Sequence, residues 1–103
     1  MFIIELEYLC SLEKIDQHLK AHRDFLETYY QKGTFLASGP KIPRTGGVII
    51  AFGSDKGALE NILKQDPFAK EGIARYSITE FSPVKYQPAI QPFLETLEPI
   101  RQS

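Results

Sequence analysis

Residues 2–8 alternate: Phe2, Ile4, Leu6 and Tyr8 fall on one side, Ile3, Glu5 and Glu7 on the other. A period of two is that of a β-strand with one face turned inward. From Ser11 to Lys32 the period lengthens. At about 100° per residue, Leu12, Ile15, Leu19, His22, Leu26 and Tyr29 form one stripe, with His18 at its edge and Arg23 well off it. The pattern predicts a first helix over 11–32, with Ser11 as N-cap and Gly33 as its stop.

Beyond Gly33 the signals shorten. Thr34–Ser38 reads as a strand closed by Gly39-Pro40, and Pro43 keeps the following loop out of a sheet. Gly47–Phe52 is the most β-prone stretch of the chain. A second helix is predicted over Lys56–Gln65, capped by Ser54 or Asp55 and apolar at Leu59, Ile62 and Leu63. The run from Asp66 to Gly72 reads as a compact turn, and Ala74–Val84 as the last strand. The order β-α-β-β-α-β predicts a ferredoxin-like α+β fold: a four-stranded antiparallel sheet with two helices on one face.

Such a sheet leaves one face bare, and Ile3 on that face is poorly suited to water. A second copy is the simplest cover, which predicts a two-fold homodimer meeting face to face. A domain is expected over 1–85 and a tail over 86–103. In the tail, Ile90, Phe93, Leu94, Leu97 and Ile100 keep helical spacing and Pro92 suits a first turn. A short helix docked on its own subunit or on the partner is expected there.

Composition narrows the function classes. The chain has 103 residues and a net charge of −1, with no basic block to suggest nucleic acid. No apolar run is long enough to cross a bilayer, and the N-terminus lacks the pattern of a signal peptide. One cysteine, Cys10, excludes an internal disulfide and a multi-cysteine metal site. A cytoplasmic location is expected, without membrane or nucleic-acid partners.

The informative residue is His22, a polar ring on an apolar stripe. A buried ring nitrogen without a partner costs about 1–3 kcal/mol, so the fold must supply one. A core histidine bonded to a carbonyl or a water is one reading. A general base is the other, because an imidazole trades a proton near neutral pH and needs a second group to fix its tautomer. Asp66 is the candidate second group. It also reads as an N-cap before Pro67, and a carboxylate has lone pairs enough for both tasks. Ser38 and the backbone N–H of Gly39 could hold a substrate oxygen at a pocket rim. His18 is expected at the surface, and Tyr8, Tyr29, Tyr30 and Tyr76 in the core or an interface. Cys10 has no base beside it and reads as a small apolar residue. His18 and His22 lie four apart, but no third ligand is evident, so no metal and no cofactor are expected.

The segments "HRDFL", "GTFLASGP" and "GGVIIAFGSDKGALENILKQDPFAKEGIARYSITEFSPV", in that order, resemble the YciI-like family, or YCII-related domain. The resemblance runs from the first strand to about Lys85. It implies a dimeric α+β barrel of ferredoxin-like subunits, a group that includes muconolactone isomerases and small monooxygenases. It also implies a histidine–aspartate pair in a pocket by the sheet, here His22 and Asp66, with Ser38 a further pocket residue. Some members are linked to dehydrochlorination of chlorinated hydroxyaromatics. Two functions therefore stand. The first is a cofactor-independent lyase or isomerase using His22 and Asp66 on a small cyclic or aromatic molecule. The second is a non-catalytic ligand-binding or dimerising module in which the pair is structural.

Overall fold

The computed structural model describes residues 1–97. The elements follow as β1 (Phe2–Tyr8), α1 (Leu12–Gln17), α2 (Leu19–Gln31), β2 (Phe35–Pro40), β3 (Gly46–Ala51), α3 (Lys56–Leu63), α4 (Pro67–Lys70), β4 (Ala74–Glu80), a 3-10 turn (Pro88–Ile90) and α5 (Gln91–Leu97). The strands form one antiparallel sheet in the order β2-β3-β1-β4, the ferredoxin-like α+β arrangement.

Register explains the core. Phe2, Ile4 and Leu6 stand opposite Ala51, Ile49 and Gly47 on β3. On the other side Ile4 and Leu6 meet Ile78 and Tyr76 of β4. These positions share the face that Ile15, Phe25, Tyr29, Leu59, Leu63 and Phe68 cover from the helical layer. Gly46 starts β3 tightly against β1: a Cβ there would stand 1.8 Å from the Leu6 carbonyl oxygen, so no side chain fits.

The expected single helix over 11–32 is two helices. His18 ends α1 and begins α2 with φ −106° and ψ 4°, and its N–H bonds back to Ile15 O at 3.0 Å. Asp and His are among the weaker helix formers, and Asp16 is held from outside by Arg44. The break changes the phase of the stripe. Leu12, expected inward, is 43% exposed, whereas Phe25 is buried. His18 is half-buried at the joint, not on the open surface.

Other boundaries shift for local reasons. β2 continues through Gly39 to Pro40, since an edge strand tolerates a residue without an N–H. Asp55 caps α3, its Oδ1 accepting from Ala58 N at 3.0 Å. The Asp66-Pro67 turn is a one-turn helix, α4, and Gly72 follows it with φ +66°. β4 ends at Glu80, before Pro83.

The described part of the tail packs against the rest of the chain. Leu94 is buried with Met1 and Phe52, and Leu36, Ile50, Tyr86 and Ile90 pack around them. The Phe52 and Phe93 rings stack with centroids 5.1 Å apart. Ile50 pairs with Ile3 and so belongs to the sheet face turned away from the helices. That face, expected to be bare, is therefore covered at one end by the tail. Ile3 remains 38% exposed, beside the Glu5–Lys41 and Glu7–Arg75 ion pairs. Of the expected apolar tail series, Ile100 and the side chain of Leu97 lie outside the described residues. Among the described residues, no helix is long and apolar enough to cross a membrane.

Candidate functional site

A cavity of about 410 Å³ opens between α2, the inner face of β1 and β3, and the end of β2. Its origin is a lack of side chain. Leu6, Gly47 and Pro40 lie side by side across three strands, and Gly47 leaves the middle of that row empty. Leu6, Leu19, Leu26, Ile49 and Phe68 make the walls apolar, and His22, Arg23, Ser38, Gly39 and Arg44 add polar groups.

His22 comes from the buried stripe of α2 and Asp66 from the bend after α3, and the fold brings them together. His22 Nδ1 lies 2.8 Å from Asp66 Oδ1. Asp66 is 0% exposed. The same Oδ1 accepts from Phe68 N at 3.0 Å, capping α4, and Oδ2 accepts from Tyr76 Oη at 2.5 Å. Cap and partner are one residue. The Phe68 N–H and the Tyr76 hydroxyl donate to Asp66, and an ionised carboxylate only accepts, so the tautomer that suits the His22 contact carries its proton on Nδ1. Nε2 is then the ring nitrogen left with a lone pair. Phe68 stacks on the imidazole, 4.0 Å between centroids and 6° between planes, and fixes its tilt.

Tyr76 was expected only as a core or interface residue. Its register opposite Leu6 turns it to the inner face, where its hydroxyl closes the chain Tyr76–Asp66–His22. Burial, then the negative Asp66 beside it and the hydrogen bond to it, raise the Tyr76 phenol well above its ordinary value of 10.0. It therefore stays a donor to Asp66. No local pattern in the sequence marks this role, since Tyr76 alternates like any inward strand residue. A second bond runs parallel: Tyr29 Oη donates to Gln65 Oε1 at 2.8 Å. Thus α2 is tied at His22 and Tyr29, two turns apart, to adjacent residues of the bend.

Ser38 and Gly39 are exposed and line the cavity at the end of β2. Ser38 Oγ is 2.7 Å from Tyr30 Oη, so Tyr30, another tyrosine expected in core or interface, bonds at the rim. Arg23 and Arg44 also line the cavity, neither expected from the sequence. Arg44 reaches from the β2–β3 turn to α1, with Nη2 2.6 Å from Asp16 Oδ1, and its guanidinium lies 6.0 Å from the Tyr8 ring centroid. The hydrogen bond to Asp16, and then that to Tyr8, raise its pKa further above the ordinary arginine value. His18 and Cys10 do not line the cavity. Cys10 is half-buried and its thiol lies 3.6 Å from Ser11 O. Among the described residues, no three His, Cys, Asp or Glu side chains are grouped to hold a metal ion.

The fold is an antiparallel α+β domain with a polar pair at one wall of a sheet-side cavity. The YCII-related domain model matches residues 1–82, and the chain belongs to that family. Among solved structures, it is similar to 5-chloro-2-hydroxyhydroquinone dehydrochlorinase from Burkholderia phenoliruptrix AC1100, a complex with 2,5-dihydroxybenzoquinone. The TM-score is 0.66 at 19% identity, over 79% of this chain and 93% of that one, a likeness of fold. No curated protein sequence matches the chain.

Proposed function

We propose that this chain is a small enzyme that moves a proton on a cyclic or aromatic substrate. His22 is the acid–base group, Asp66 orients its ring, and Ser38 with the Gly39 N–H holds a substrate oxygen. The observation that carries this reading is the 2.8 Å contact of His22 Nδ1 with a buried carboxylate, at the wall of a cavity that Asp66 itself does not line. With Nδ1 occupied, Nε2 is the nitrogen available to a ligand. The carboxylate also stabilises the imidazolium that forms when Nε2 takes a proton. Proton transfer of this kind requires neither a redox group nor a metal, which suits lyase or isomerase chemistry. Dehydrochlorination belongs to that class: a base removes a proton as chloride departs with the electron pair of its bond to carbon. The structural relative supports the class through its fold.

General acid–base groups contribute about 10²–10⁴-fold. His22→Gln and Asp66→Asn should each lower turnover by amounts in that range once a substrate is found in a screen of hydroxyaromatics. Turnover retained in both variants would end the proposal. A second reading, a non-catalytic module, draws on the same network, because Asp66 also caps α4 and anchors Tyr76. It expects His22→Gln to lower stability with no turnover to lose, and the His22 ring resonances to ignore every small molecule tried.

The chain's proposed partner is a second copy of itself, covering Ile3 and the uncovered part of the outer sheet face. Sedimentation equilibrium showing a monomer at all accessible concentrations would exclude this. The proposed setting is the cytoplasm, where the reducing poise keeps a lone thiol such as Cys10 free.

A further inference from the structure

The charges around the cavity are unequal. Asp66 supplies the nearest negative charge to His22, but it is fully buried behind the ring and saturated by three donors. Arg44 is matched by Asp16. Arg23, the residue after His22, is exposed at the cavity wall and has no ion pair or hydrogen bond among the described residues. The remaining walls are apolar, and a volume of about 410 Å³ falls in the lower part of the range for small-molecule sites. An apolar slot with one unmatched guanidinium at its mouth suits a flat ring bearing one anionic oxygen group. The guanidinium fork fits a carboxylate with two parallel hydrogen bonds, a match that a single phenolate oxygen cannot make.

We infer that Arg23 is the specificity-determining residue of this cavity and that its ligand is a ring carboxylate. This deepens the reading of the cavity as a substrate site and adds a substrate class to it. The ring lies between Leu6, Leu19 and Leu26, the carboxylate meets Arg23, and the ring substituents are left to face His22 and Ser38. Arg23 acts by holding the ligand and does not itself exchange a proton.

The test is binding to the full chain, read by calorimetry and by the His22 ring resonances. The probes are salicylate, its neutral amide salicylamide, and 4-nitrophenolate, which carries a phenolate in place of the carboxylate. Salicylate should bind about tenfold more tightly than salicylamide, a difference of about 1.4 kcal/mol. Arg23→Gln should abolish that preference, and Arg23→Lys, which keeps the charge but loses the fork, should retain only part of it. His22→Gln should preserve the preference whether or not turnover depends on His22, so catalysis and ligand class fail separately. Equal binding of salicylate and its amide would overturn the inference. So would a preference surviving Arg23→Gln, 4-nitrophenolate binding as tightly as salicylate, or no binding by any probe.

Discussion

The two ends of the sheet bury different things. At one end, where β1 finishes and β3 begins, the fold encloses Asp66 and ties His22, Phe68 N–H and Tyr76 to it. At the other end and on the opposite face, Met1, Phe52 and Leu94 make a cluster of purely apolar side chains. The apolar end gains from every ångström squared it removes from water. The polar end must first offset the desolvation of a carboxylate, and a buried charge is a weak stabiliser even when well paired. A site built only for stability would resemble the Leu94 end. The His22 end adds a cavity and a free ring nitrogen, which supports reading it as a place for chemistry.

Substitutions should expose this contrast. The largest effect is expected from Asp66→Ala, which strands three donors in the interior and uncaps α4. Breaking one side of a buried charged network costs about 3–5 kcal/mol, and urea unfolding should show a loss of that order. A loss of under about 1 kcal/mol would mean the network contributes as little as a surface pair. Leu94→Ala comes next. It removes volume without stranding any polar group, at the lower end of the roughly 2–5 kcal/mol seen for such truncations. Ligand binding in the cavity should be unchanged. The double variant with Asp66→Ala should be additive within about 0.5 kcal/mol, as for separated sites; a larger discrepancy would show that the two ends are coupled.

Tyr76→Phe should cost about 1.5 kcal/mol, the lower end of the net worth of a hydrogen bond to a charged group, and should change the alkaline limb of stability. The Tyr76 phenol is raised in the folded state above its ordinary 10.0. Below pH 10 both states keep the proton. Above it the unfolded chain loses the proton while the folded chain retains it, so stability falls as pH rises. The slope approaches about 1.4 kcal/mol per pH unit for one proton. Unfolding midpoints above pH 10 should therefore fall less steeply in Tyr76→Phe than in the parent chain, and identical slopes would refute the assignment. The smallest effect is expected at Arg44, whose ion pair with Asp16 is partly exposed, 33% and 53% for the two side chains. Arg44→Gln should leave the urea midpoint nearly unchanged, and high salt should erase any difference.

Much of this was legible in the linear pattern, and the failures have identifiable causes. The alternation of Phe2, Ile4, Leu6 and Tyr8 marked a one-sided strand, and the order of elements named the fold. His22 stood out because a polar ring on an apolar stripe needs an explanation. Asp66 could be read as a cap, since Asp-Pro is a local signal. The break at His18 was not legible, because the residues around it keep helical spacing. Phe25 was missed for the same reason: a phase change at the joint decides which side of α2 faces inward.

Local spacing, caps and breakers act over a few residues, so the chain by itself determined the order of the strands, the regions of the two main helical layers and the inward turn of His22. The Tyr76–Asp66–His22 chain joins residues up to 54 apart in sequence. The cavity at Gly47 and the unmatched charge of Arg23 depend on which strands and side chains become neighbours. Only tertiary structure decides those, because register, side-chain pairing and exclusion of water are properties of packed surfaces.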